Sequence, residues 1–251
     1  MLILLIRLKA RHQEAEGIIM NKRTLKRTQM CPVGALILAI VICLYLVFFI
    51  TKMRTETVTF YSSNSDGNIA AESTTYQTAH DATLGKAVDN ISSTLAVGQI
   101  QHTNGIYEIG RGYLFFDTST IPDDATITSA TLSIWINTDF SEQDFDITIQ
   151  NGQPIYPHDP LVIEDYYYSN YSGNGGSQNT SNFILGEYSS ITLNETGISW
   201  INKTGTTKLC LRSSRDIDST SPVPDRKEYI TVAANEFAIP DKTAKLEITY
   251  R

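Results

Sequence analysis

Ser129-Ala-Thr-Leu-Ser-Ile-Trp-Ile136 decides the fold. Ala130, Leu132, Ile134 and Ile136 take alternate positions, with Thr131, Ser133 and Trp135 between them. A period of two sends successive side chains to opposite faces, so the stretch predicts a strand with one face in a core. The same alternation runs through Phe145, Ile147 and Ile149, through Ile191 and Leu193, Leu209 and Leu211, Tyr229 and Thr231, and Leu246, Ile248 and Tyr250. Tyr113-Leu-Phe-Phe116 is apolar without a break, as expected of a strand buried on both faces. Turn-forming clusters separate these segments at Ser63-Asn-Ser-Asp-Gly67, Thr120-Ile-Pro-Asp-Asp124, Asn151-Gly-Gln-Pro154, Gly173-Asn-Gly-Gly176 and Ser221-Pro-Val-Pro224. Short strands with repeated turn signals predict an all-β antiparallel β-sandwich, jelly-roll-like, and disfavour a parallel α/β fold. One short helix is expected over 195–202, where Ile198 and Ile201 lie three apart.

Outward from this domain the composition breaks near residue 50. Residues 1–54 carry nine Lys/Arg against Glu14 and Glu16, a net of +7, whereas 55–251 carry eleven Lys/Arg against twenty-five Asp/Glu, a net of −14. Between them, residues 31–50 hold no charge. At about 1.5 Å per residue such a run reaches across the roughly 30 Å hydrocarbon layer. It is longer than the apolar region of about 7 to 15 residues in a cleaved signal, and no small-x-small site follows, so an uncleaved signal-anchor is expected. Lys22, Arg23, Lys26 and Arg27 precede it and only Lys52 and Arg54 follow, which predicts the N-terminus inside and the C-terminal domain outside. The expected organisation is a basic cytoplasmic segment (1–30), a transmembrane helix (31–50), a short linker (51–56) and one extracellular domain (57–251), with Met20 an alternative start. The domain keeps only Cys210, so no intrachain disulfide forms there, and its place between Leu209 and Leu211 predicts a small side chain in a strand.

Ile109-Gly-Arg-Gly-Tyr-Leu-Phe-Phe-Asp-Thr-Ser-Thr-Ile-Pro-Asp-Asp-Ala-Thr-Ile-Thr-Ser-Ala-Thr-Leu-Ser-Ile134 resembles the signature of DNRLRE-type β-sandwich modules, related to carbohydrate-binding module family 96. The resemblance continues through 144–150, 189–215 and 244–250. It implies a surface or secreted β-sandwich of the kind found in archaea, bacteria and phages. It also makes Arg111, Asp117 and Pro122 fold-defining positions. The residues support this on their own terms: Asp117 can cap the following turn, Pro122 fixes it, and Arg111 invites an acidic partner.

Candidates for chemistry are sparse. His80, His102 and His158 stand apart from one another, without zinc spacing, and read as loop histidines on a polar surface. Glu164-Asp165 evokes a glycosidase pair, but adjacent residues rarely face each other across a sugar. No G-x-S-x-G elbow occurs, and Gly173-Asn-Gly-Gly-Ser177 lacks a phosphate-loop ending and reads as a flexible tip. The richest stretch is 156–171, where Tyr156, Tyr166, Tyr167, Tyr168 and Tyr171 lie among Glu164 and Asp165. Rings beside carboxylates suit a sugar. The resembled modules have a similar Leu-x-x-x-Asp-Tyr segment covering one end of the sandwich, so structural cover is the competing reading. The same acids, or Asp144 with Asp146 and Asp216 with Asp218, could hold calcium, without any specific motif, and no other cofactor is implied. N-x-S/T sequons at Asn90, Asn170, Asn179, Asn194 and Asn202 are glycosylation candidates.

The acidic domain argues against nucleic acid. The expectation is a membrane-anchored, non-catalytic cell-surface protein that binds polysaccharide or scaffolds the envelope. The alternatives are a structural subunit of a surface layer or filament and a membrane-tethered polysaccharide-degrading enzyme.

Overall fold

The computed structural model describes residues 32–52, 54–224, 226–235 and 242–251. The basic segment 1–30, the alternative start at Met20 and the first residue of the expected anchor lie outside them. The chain divides into two units, Met1–Arg54 and Thr55–Arg251. In the first, helix α1 runs over Pro32–Lys52. Among the described residues no helix is long and apolar enough to cross a membrane. Side chains of α1 are described only at residue 34 and over 36–47, and these are exposed.

The second unit is all-β and antiparallel. Its strands are β1 (Glu56–Tyr61), β2 (Gly67–Ser73), β3 (Ala87–Asp89), β4 (Thr94–Gln101), β5 (Tyr107–Asp117), β6 (Ile127–Ser141), β7 (Asp146–Gln150), β8 (Ser177–Asn179), β9 (Tyr188–Thr192), β10 (Thr206–Ser213), β11 (Lys227–Ala233) and β12 (Lys245–Tyr250). They join in the order β1-β12-β6-β11-β4-β5-β10-β7-β8, with β9 on β6 and the β2–β3 pair on β5. This is a curled sheet consistent with a sandwich. Its curl depends on β6, which pairs with β12 and β9 through its first half and with β11 through its second. β5 likewise changes neighbour, from β4 at Tyr107–Gly110 to β10 at Gly112–Asp117.

The main core forms where the decisive strand turns Ala130, Leu132, Ile134 and Ile136 inward against Leu114, Phe116, Leu209, Leu211, Leu246 and Ile248. Tyr113–Phe116 is buried throughout because β5 divides two clusters. Leu114 and Phe116 enter the main core, whereas Tyr113 and Phe115 enter a second one with Ile69, Leu161, Tyr166, Tyr171 and Cys210. Burial pushes the Cys210 thiol up to about 12, which leaves it a packing residue.

Three expectations change. On β11 the buried face belongs to Glu228, Ile230 and Val232, and Tyr229 and Thr231 take the other face. The short helix, α3 (Glu195–Ser199), ends earlier than expected and is capped by the Asn194 side chain on the Gly197 amide, at 2.9 Å. Gly173–Gly176 is no free tip, because a Cβ at residue 175 would lie 2.3 Å from the Trp200 ring. The glycines let Trp200 close down on the loop. At the fold-defining turn, Asp117 accepts from the Ser119 amide and hydroxyl at 3.1 and 2.6 Å, and the Pro122 carbonyl accepts from Ala125 N–H.

Truncating Leu132, fully buried in the main core, to Ala is expected to cost about 2–5 kcal/mol. Urea denaturation of the two proteins measures it, with an unchanged slope showing that the denatured state is unaffected.

Candidate functional site

The aromatic stretch 156–171 folds over the outer face of β5 and β2 as two single 3-10 turns, Ile163–Tyr166 and Tyr168–Asn170. Its most apolar rings face inward. Tyr166 is fully buried, donates its hydroxyl to the Ala79 carbonyl at 2.9 Å and lies 4.1 Å beneath the Arg111 guanidinium. Tyr171 packs on Tyr113. Asp165 is buried as well, accepting from the His158 and Val162 amides at 2.9 and 3.0 Å. Glu164 beside it is exposed, so the two carboxylates share no site. Tyr156, Tyr167 and Tyr168 are half-buried: Tyr156 packs on His158, Tyr167 on Tyr168, and Tyr168 also on His80. The segment therefore covers a core, and Asp165, Tyr166 and Tyr171 are turned away from any ligand.

Beneath this cover Arg111 finds its acidic partner in Asp216. The carboxylate takes Arg111 Nε and Nη2 at 2.9 and 2.7 Å and Arg212 Nε at 2.7 Å. Arg111 also donates to the Tyr166 carbonyl and, at 3.2 Å, to that of His80. Asp216 belongs to α4 (Ser214–Ile217), and His80 ends α2 (Tyr76–His80). Burial opposes the charge on Asp216, but Arg111 and Arg212 together outweigh it and hold the carboxyl well below the usual range.

Of the three histidines only His80 departs from the surface reading; His102 and His158 sit in loops with side chains 41% and 44% exposed. His80 is buried, with Nδ1 2.6 Å from Asp81 and Nε2 2.8 Å from the Asp216 carbonyl; His158 sits 2.8 Å from Asp165 and His102 2.8 Å from Glu108. Each partner is placed by the fold or by a loop, which spacing between histidines does not reveal.

Four of the five sequon amides are committed: Asn170 to the Glu164 carbonyl, Asn179 to Asp146, Asn194 to the Asn174 carbonyl and Asn202 to the Thr206 carbonyl. Asn90 lies beside Ile91, which is 85% exposed. Asp144 and Asp146 are engaged by Thr180 and Asn179. No group of three or more His, Cys, Asp or Glu side chains converges as a metal site among the described residues.

The open concavity of the domain lies elsewhere. Strand register aligns Phe140, Tyr229, Gly98, Gly110, Ala70 and Ala87 in one row across β6, β11, β4, β5, β2 and β3. Four consecutive strands thus present almost no side chain, a trough about 14 Å long at about 4.8 Å per strand. Gly98 has a φ of +129°, and a Cβ there would meet the Glu228 carbonyl at 2.3 Å, so only glycine fits this floor position. A cavity of about 170 Å³ opens here, bounded by Tyr229 on one side and by His102 and Glu108 on another. The neighbouring row holds Lys227, Ile100, Glu108 and Glu72. Glu72 is held by Lys86 at 2.6 Å. Lys227 places its ammonium 4.2 Å over the Phe140 ring, and Phe140 packs on Tyr229 at 5.3 Å. Burial and then the Glu108 carboxylate push the Tyr229 phenol up.

No family model matches the chain. No curated protein matches it either. A solved structure described as "Structural basis for the promiscuous specificity of the carbohydrate-binding modules from the beta-sandwich super family" is similar at 12% identity and a TM-score of 0.23, over 78% of this chain and 54% of that one. The chain thus spans about half the length of that structure, and a score so low carries no argument about ligand.

Asp216→Asn leaves two buried guanidinium groups without a countercharge and is expected to cost about 3–5 kcal/mol in chemical denaturation. The acid limb of stability is expected to change with it. Because the folded carboxyl lies below its ordinary 3.8, the unfolded chain takes up the proton first as pH falls. The contribution is fully present above that value and declines below it. Melting curves from pH 6 to 2 should show a shallower fall in the Asn variant.

Proposed function

We propose that this chain is a membrane-anchored, non-catalytic surface protein whose β domain binds polysaccharide in the trough over β4, β5 and β2. One observation carries the reading: an aromatic wall, Tyr229 with Phe140, stands beside ion-paired polar groups over a floor nearly free of side chains. Sugars present flat C–H faces to rings and hydroxyls to fixed donors and acceptors, and a bare floor lets the chain come close to the sheet. The tyrosines of 156–171 have no part in this. The anchor is supported by the uncharged run 31–50 and by the basic residues before it. In this reading the N-terminus is cytoplasmic and the domain extracellular, with Asn90 the sequon best placed for a glycan.

The test uses the full chain in a detergent without sugar groups, applied to insoluble polysaccharides and a glycan array. Saturable binding is expected, weakened about tenfold by Tyr229→Ala and unchanged by Tyr167→Ala. A folded chain that binds no glycan would sink the reading in favour of a surface-layer subunit, and release of reducing ends from bound polysaccharide would overturn its non-catalytic part.

A further inference from the structure

The trough has one feature that works against the fold. Glu72 and Glu108 are direct cross-strand partners on the same face of β2 and β5. Like charges opposite each other in an antiparallel pair destabilise it, where Thr or Gln would not. The structure offsets the repulsion with the Lys86 ammonium and the His102 ring, both brought from outside the pair. Lys86 places its ammonium 2.6 and 2.7 Å from the two oxygens of Glu72, and His102 Nε2 lies 2.8 Å from Glu108 Oε2. Both carboxylates stay about one-third exposed at the trough's edge, 32% and 36%. Among the described residues no hydrogen bond engages Glu108 Oε1.

We propose that Glu72 and Glu108, with Lys86 and His102, are the hydroxyl-reading element of this trough and that they take adjacent hydroxyls of a neutral sugar chain. This rests on the polysaccharide reading and adds its substrate class. A sugar hydroxyl both donates and accepts, so it needs an acceptor and a donor side by side. The four groups supply that arrangement: Glu108 Oε1 accepts, and the ammonium of Lys86, with three N–H bonds, donates. Charge-assisted bonds of this kind are short and directional. Lys86 already neutralises Glu72, and His102 holds Glu108 through Oε2. The surrounding domain, at a net −14, repels an acidic polysaccharide.

The full chain is titrated calorimetrically with cellotriose, xylotriose, mannotriose and a galacturonic acid trimer. At least one neutral trimer is expected to bind and the acidic trimer to fail. Glu72→Gln and Glu108→Gln should each weaken the neutral trimer tenfold or more while melting at the same or a higher temperature, because the like-charge pair is gone. If the folded wild type binds no neutral trimer, the polysaccharide reading fails and this inference with it. If it binds and both Gln variants bind within twofold of it, only the inference is overturned, as it also is if the acidic trimer binds equally well. Should a Gln variant not fold, the wild type is titrated with deoxygenated forms of the bound trimer. Tenfold weaker binding is expected for the form lacking a read hydroxyl, and equal binding of every deoxy form overturns the proposal.

Discussion

Asp216 is a single buried carboxylate shared by two buried guanidinium groups, and the arrangement of the surrounding elements is fixed by it. Arg111 comes from β5, Arg212 from β10 and Asp216 from α4, while Arg111 reaches on to the backbone of α2 and of the tyrosine-rich cover. The value of this trio lies less in net energy, since taking each ion from water costs several kcal/mol, than in the penalty on any arrangement that separates the charges. A slipped register of β5 would carry Arg111 to the other face and strand Asp216. The ring of Tyr166 over the guanidinium adds a cation–π contact that ties the cover to the same point.

That register also makes the trough. Once Arg111 is locked against the covered face, Gly110 falls on the open face opposite Gly98 and Ala70. The bare floor and the buried clamp are therefore opposite faces of two adjacent residues of β5, Gly110 and Arg111. A sheet face next to its most constrained residue has little conformational freedom left to lose.

The main core was legible in the sequence because a strong period of two, as in Ala130 to Ile136, leaves few alternatives. β1 to β4 were not read as strands. Gly67-Asn-Ile-Ala-Ala-Glu-Ser73 and Thr94-Leu-Ala-Val-Gly-Gln-Ile-Gln101 mix small, polar and apolar residues without a clean alternation. For β2, β3 and β4 the reason is physical: one face builds the floor and edge of the trough, where the register sets Ala70, Ala87 and Gly98 in place of bulky side chains. Asp216 was hidden for a different reason, since its partners Arg111 and Gln150-bound Arg212 are identified only by the fold that brings them together.

The tyrosine-rich segment shows the converse. Five Tyr between 156 and 171 gave the strongest sequence signal for a binding surface, yet the outer face of β5 exposes Arg111, Tyr113 and Phe115, which must be covered. Tyrosine suits that task because its ring fills apolar space and its hydroxyl satisfies a buried carbonyl, as Tyr166 does for Ala79 and Tyr113 for Asp165. A cluster of aromatic rings therefore marks a surface that needs covering as readily as one that binds. What separates the two is whether the ring is turned into the fold. Tyr166 and Tyr171 are buried, whereas Tyr229, at the mouth of the trough, is only partly so.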